Sequence, residues 1–184
     1  YTQSALIDIQ NRHGSIDDFV ISRLGYDSPK QLHKAFMGLQ ADSVALAVDA
    51  IEKGRAIIIG DQTGVGKGRQ AAGIIRYAIE NGKTPIFVSQ KPNLFTDMYD
   101  DLADIGVENF TPLIVNQDKG YISKDGEKLF NPSPTKRKEL LNKVRSNREL
   151  PEGYDALFLT YSQISSDKTG AKTDMVNGLL DNAI

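Results

Sequence analysis

The sequence predicts an α/β fold, a parallel sheet flanked by helices, and three observations predict it. Short apolar runs of strand length at 56–59, 85–88, 113–115 and 156–159 lack polar alternation, as strands covered on both faces do. Segments of helical periodicity separate the runs, the order that builds parallel sheets with right-handed crossovers. A glycine-rich turn joins the first run to the helix after it. With 184 residues and 40% apolar content, the chain is long enough for one sizeable domain with a small appendage.

The elements follow in order. Residues 1–38 read as a helical lead-in. Ser15 precedes a segment with Asp17 and Asp18 in its first turn, where a helix start favours acids, and Gly25 ends it. Ser28 and Pro29 restart a helix as N-cap and first helical residue, with Leu32, Ala35, Phe36 and Leu39 at helical spacing. A helix over 42–53 carries Val44, Ala45, Val48 and Ile51 on one stripe and stops at Gly54. Beyond the first apolar run, helices are expected over 68–80, stopped by Asn81 and Gly82, and over 94–105, stopped by Gly106.

Residues 116–153 break the alternation. Turn chemistry at Lys119–Gly120 and Asp125–Gly126 and the string Pro132-Ser133-Pro134 precede a polar helix over 135–148 rich in lysine and arginine. This stretch reads either as a solvated insertion or as a basic face that follows a nucleic-acid backbone, whose phosphates need cations but no particular sequence. The expected organisation is a lead-in over 1–38 and a nucleotide-binding domain over 39–184, with the basic insertion at about 116–153.

Composition narrows the classes. The chain has no cysteine, which excludes disulfides and thiolate metal sites and suits a cytoplasmic protein. No run approaches the roughly 18–20 apolar residues of a membrane span, and no signal pattern opens the chain. Tyr1 in place of an initiator methionine suggests a fragment or a processed piece. The net charge of −2 confines any nucleic-acid signature to local patches. His13 and His33 lack metal or triad spacing. Asp97, Asp100, Asp101 and Asp104 read as a solvated helix face, and Phe95 and Tyr99 as packing residues.

The chemistry-bearing string is Gly60-Asp61-Gln62-Thr63-Gly64-Val65-Gly66-Lys67-Gly68-Arg69. A run, a glycine turn and a helix start are the context of a phosphate-binding P-loop. Gly64 and Gly66 let the backbone curl its N–H groups inward, and the helix adds unpaired N–H groups and its positive dipole end. Lys67 supplies a cation for the β- and γ-phosphates and is the candidate catalytic residue. Gln62, Thr63, Gly64, Val65, Gly66, Lys67, Gly68 and Arg69 form the candidate nucleotide cradle. Two departures stand out. Asp61 replaces the first glycine of the common pattern, and Gly68 replaces the hydroxyl residue that ligates magnesium. That ligand would then come from water, from Thr63 or from outside the chain. Arg69 is free to meet phosphate, a partner acid or solvent.

This string, with Ala72-Gly73-Ile74-Ile75 after it, resembles the first motif of the strawberry notch family, helicase-like ATPases of superfamily two that also occur as large phage and mobile-element proteins. In that family the glycine after the lysine is part of the pattern. The aspartate-first variant is similar to the loop of Swi/Snf-type translocases. Asp101-Leu102-Ala103-Asp104-Ile105-Gly106 and Leu159-Thr160-Tyr161-Ser162 match further family segments. The resemblance covers roughly 39–166. It implies a RecA-like domain using ATP and Mg2+, with Gln40 reading the adenine edge. It also implies nucleic acid, DNA rather than RNA, against Ser89, Gln90, Lys91, Thr160 and Tyr161. The acidic strand that holds magnesium in superfamily two is not found before Ile184. The resemblance therefore implies a first motor domain cut before its catalytic acids, partnered by the remaining C-terminal part of the same motor and inactive by itself. A phage origin would place it in the host cytoplasm or the virion. The competing expectation is a P-loop interaction module, or another phosphotransferase, without motor activity.

Overall fold

The computed structural model describes residues 2–62, 64–116, 122–166 and 169–181. They fall into two compact units, 1–82 with 100–108, and 83–99 with 109–184.

The first unit is helical. It contains α1 (Thr2–His13), α2 (Ile16–Leu24), α3 (Pro29–Ala35), α4 (Gly38–Glu52) and α5 (Lys67–Glu80). The second half of α6 (Leu94–Asp104) also belongs to it. Capping chemistry sets the boundaries. The Ser15 hydroxyl accepts from Asp18 N–H at 3.0 Å, and Gly25 closes α2 with a left-handed φ of 66°. Pro29 begins α3 as expected, but α3 stops at Ala35 and a separate helix starts at Gly38. Leu39 therefore lies off the apolar stripe and is 71% exposed. Val44, Ala45 and Val48 of α4 are buried. Arg76 ties the unit together: its guanidinium donates to Leu24 O at 2.6 Å and Ile105 O at 2.9 Å, and lies over the Tyr26 ring. Burial pushes the Tyr26 phenol up to about 12, and its hydroxyl donates to Ile105 O at 2.8 Å.

One expected strand is absent. Residues 56–59 form no ladder with any described strand, and Ile58 is 93% exposed. A strand is made by its neighbours' backbone groups as much as by its own side chains. Among the described residues the first unit holds no strand for this run to pair with, and the run borders a cleft with Thr2, Ala5, Ser43 and Leu46.

The second unit holds the sheet. Strands β1 (Ile86–Ser89), β2 (Pro112–Ile114) and β5 (Ala156–Thr160) pair in parallel in the order β1-β5-β2. Central β5 is buried along its whole length. Its register explains the two faces, since Leu157 faces Ile86 and Leu113 while Phe158 faces Phe87 and Ile114. Leu113, Val115, Leu157 and Leu159 pack with Leu140 and Val144 of α7 (Pro134–Asn147) and with Met175 and Leu179 of α9 (Ala171–Asp181). The other face packs Phe158 against Phe87, Phe95 and Phe110, with ring centroids 5.0, 5.5 and 5.7 Å away. Phe95 comes from the first half of α6, so helices cover both faces of the sheet.

Within the basic insertion, β3 (Ile122–Lys124) and β4 (Glu127–Leu129) form an antiparallel hairpin. Asp125 and Gly126 turn it with φ of 51° and 83°, the two positive values that a tight hairpin turn requires. Lys119 and Gly120 lie outside the described residues. The polar helix is α7, capped by Ser133 and closed by Arg148 in the left-handed conformation. Its Arg137 is buried, at 4% exposure, so the insertion is not wholly solvated. Tyr99 packs on Phe130. Among the described residues no helix is long and apolar enough to cross a membrane.

Candidate functional site

The phosphate loop leaves residues 56–59 and enters α5 at Lys67. Gly64 and Gly66 have φ of 96° and 82°, left-handed values that favour glycine. Gly66 has a second reason to lack a side chain, because a Cβ there would overlap the Gln40 amide nitrogen. No side chain caps α5, so its first-turn N–H groups are available to an anion. The Lys67 ammonium donates to Asp61 O at 2.8 Å and Gln62 O at 3.1 Å, folded back on its own loop.

Polar contacts tie this loop to the helices around it. Asp61 Oδ2 accepts from Gln70 Nε2 at 2.8 Å and from Ser43 Oγ at 3.4 Å. Gln70 is completely buried, and its Oε1 has no partner among the described residues. The aspartate that departs from the common pattern thus anchors the loop between α4 and α5. Gln40, 5% exposed, accepts from Met37 N–H at 3.0 Å and donates to Val65 O at 3.0 Å. Each end of its amide makes one hydrogen bond, capping α4 and holding the loop, which leaves one N–H and one lone pair beside the cleft.

The second departure lies against a carboxylate. A Cβ at Gly68 would overlap Asp101 Oδ2. Arg69 draws that aspartate in, pairing with Asp101 at 3.5 Å and with Asp104. Of the three readings for Arg69, the partner acid is the one observed. Asp97, Asp100 and Asp104 are exposed, as the solvated-face reading expects, while Asp101 is partly buried, its side chain 25% exposed. Replacing Gly68 with threonine should rotate the Asp101 carboxylate aside and, because that oxygen ends a flexible side chain, cost about 1 kcal/mol. Thermal unfolding should show a smaller loss in an Asp101→Ala background. A Gly68→Thr chain as stable as the parent would refute the close packing.

Beside the loop lies a cleft of about 450 Å³ bordered by His33, Phe36, Met37, Gln40, Gly64, Gly66, Arg69 and Asp101. That volume suits a nucleotide-sized ligand. Of the sequence-derived cradle, Gln40, Gly64, Gly66 and Arg69 border the cleft, and Gln62, Val65, Lys67 and Gly68 adjoin them along the chain. Thr63 lies outside the described residues. Sequence reasoning missed Ser43, Gln70, Asp101 and Asp104. Gln70 had a legible signal, being a polar residue on the inner face of an otherwise apolar helix stripe.

The second group of candidates gathers in the second unit. Ser89 and Thr160 are register partners at the carboxyl ends of β1 and β5, the edge where open α/β sheets take ligands. Their side chains are buried. Ser89 Oγ donates to Lys91 O at 2.9 Å, and Thr160 Oγ1 accepts from Asn116 Nδ2 at 3.0 Å and lies 2.9 Å from Ser162 Oγ. They shape the edge, while Gln90, Lys91 and Tyr161 present exposed side chains on it. Asn116, with its buried Oδ1 unpartnered among the described residues, extends this polar row onto the end of β2 and was not foreseen.

No curated protein and no solved structure matches the chain. The sequence model of the family described as P-loop containing NTP hydrolase pore-1 matches residues 13–181, which takes in the phosphate loop and every element from α2 to α9. A glycine loop, a lysine and an uncapped helix start are the nucleotide-binding parts such a family requires, and the chain belongs to the P-loop containing NTP hydrolase pore-1 family.

Proposed function

We propose that the chain is the ATP-binding part of a motor of the strawberry notch type, which couples ATP hydrolysis to movement on nucleic acid, with DNA as the substrate. The observation that carries this reading is the loop itself, with Asp61 first, Lys67, and Gly68 packed under Asp101. Together these account for the motif by which the sequence resembles that family. The polar edge formed by Ser89, Thr160 and Asn116, with Gln90, Lys91 and Tyr161 exposed on it, supports a nucleic-acid path across strand ends.

The residues present fit a triphosphate better than they fit a metal. Loop N–H groups, Lys67 and the start of α5 would hold the phosphates, and charge stabilisation there is the main work of phosphoryl transfer. Gly68 offers magnesium no hydroxyl, and no group of three or more His, Cys, Asp or Glu able to hold an ion occurs among the described residues. Magnesium retains several waters when bound with phosphates, so it would arrive with the nucleotide. Gln40 keeps one N–H and one lone pair with which to meet a base, while Arg69 would exchange its carboxylate partners for phosphate.

The experiment is nucleotide turnover by the intact protein with and without added single- or double-stranded DNA. Turnover should rise several-fold with DNA. Equal rates with DNA, with RNA and with neither would sink the motor reading. The bare Gly68 favours one competing function, a nucleotide-gated interaction module, which would bind ATP in the same assay without turning it over.

A further inference from the structure

A groove of about 550 Å³ runs between α7 and α9 in the second unit and shares no residue with the phosphate loop. Val115, Leu141 and Met175 form its apolar floor, and Arg137, Lys138, Arg145 and Lys172 line it with cations. Among the described residues no aspartate or glutamate lines it. The first turns of two helices also border it, at Pro134 and Thr135 of α7 and at Ala171 and Lys172 of α9. Each contributes the positive end of a helix dipole.

Arg137 makes this more than a basic surface. It is only 4% exposed, and no described carboxylate pairs with it. Its Nη2 donates to Asn131 Oδ1 at 3.0 Å and Pro132 O at 3.3 Å, but the buried Nε–H has no acceptor among the described residues. A guanidinium stays charged, and a buried charge without a counter-ion is costly. An anion in the groove would relieve that cost.

We propose that this groove binds the phosphate backbone of a nucleic-acid strand. Lys138 and Arg145 lie on the same exposed side of α7, and from Pro134 to Arg145 that side runs about 16 Å, the length of about five stacked nucleotides. Gln163, two residues beyond Tyr161, forms part of the wall and accepts from Lys172 Nζ at 2.6 Å. The groove therefore adjoins the segment that follows the polar strand edge. The anion rests on the groove alone, whereas its identity as a strand rests on the motor reading.

The test compares the intact protein with its Lys138→Glu/Arg145→Glu variant. Both positions are exposed, so the fold should survive, as an unchanged melting temperature would confirm. Binding of a fluorescent twelve-nucleotide oligothymidylate, followed by anisotropy, should weaken at least tenfold, and the salt dependence should lose about two units of slope. Turnover without DNA should stay at the parent level. Equal oligonucleotide affinity and equal salt slope in the two proteins would overturn the proposal, and if DNA still stimulated both, the motor reading would stand without it. Should DNA stimulate neither protein, the motor reading fails. A groove-dependent affinity for the oligonucleotide would then still uphold the site, while competition by AMP or inorganic phosphate alone would reassign it to a free anion and overturn the strand.

Discussion

Replacing Lys67 with alanine is expected to lower nucleotide turnover by about two orders of magnitude, the usual consequence of removing one preorganised charge from a phosphoryl-transfer site. The ammonium now donates to two carbonyls of its own loop, Asp61 O and Gln62 O. Those contacts fold the cation back on the glycine loop, and under the proposed nucleotide binding phosphate oxygens would replace the carbonyls. Because Lys67 is exposed, its loss should alter stability by only about 0.5 kcal/mol. The two readouts therefore separate, with a melting temperature near the parent value and turnover close to background. Arginine at the same position should not restore activity, since a planar fork cannot fold back into the loop as a compact ammonium does. If Lys67→Ala turned over nucleotide at the parent rate, the glycine loop would not be the reaction site.

How much of this was legible in the sequence depends on the range of the forces involved. Ser15, Gly25, Ser28, Pro29 and Gly106 mark helix ends in the structure because capping is settled within a few residues. The loop was equally legible, since φ above zero at Gly64 and Gly66 and the helix start at Lys67 are local facts. Residues 56–59 were misread for the opposite reason. Their apolar run has the composition of a buried strand, but pairing depends on a neighbour that the run does not contain. The group that crowds position 68 was also out of reach. It lies in Asp101, more than thirty residues along the chain and drawn in by Arg69. The acidic stripe on α6 is solvated at Asp97, Asp100 and Asp104 as read, and only Asp101 departs, because helical spacing shows which residues share a face and not what lies opposite it. Arg137 was one of many cations in a stretch read either as solvated or as a basic face, although the i, i+3, i+7 spacing of Arg137, Leu140 and Val144 places it on the buried side of α7.

Phe158→Ala is expected to cost about 3–5 kcal/mol, the largest stability effect predicted for the second unit. Phe158 is fully buried at the middle of the central strand, with Phe87, Phe95 and Phe110 around its ring. These partners come from a neighbouring strand, from α6 and from the segment before β2, so no single rotamer change can fill the space left behind. Part of the loss is transfer free energy and part is the cavity, because close-packed surroundings collapse only partially. At about 2–4 °C per kcal/mol for a chain of this size, the midpoint of thermal unfolding should fall by roughly 10 °C. Phe158→Leu keeps most of the volume and should lose about 1.5 kcal/mol or less. The consequence reaches the site through β5, since Thr160 lies two residues beyond Phe158 and holds Asn116 and Ser162 at the strand-end edge. A weakened aromatic layer should therefore reduce oligonucleotide binding on warming before it affects binding at low temperature. A Phe158→Ala melting point within about 3 °C of the parent would mean that the aromatic face is not what holds the sheet to its helices.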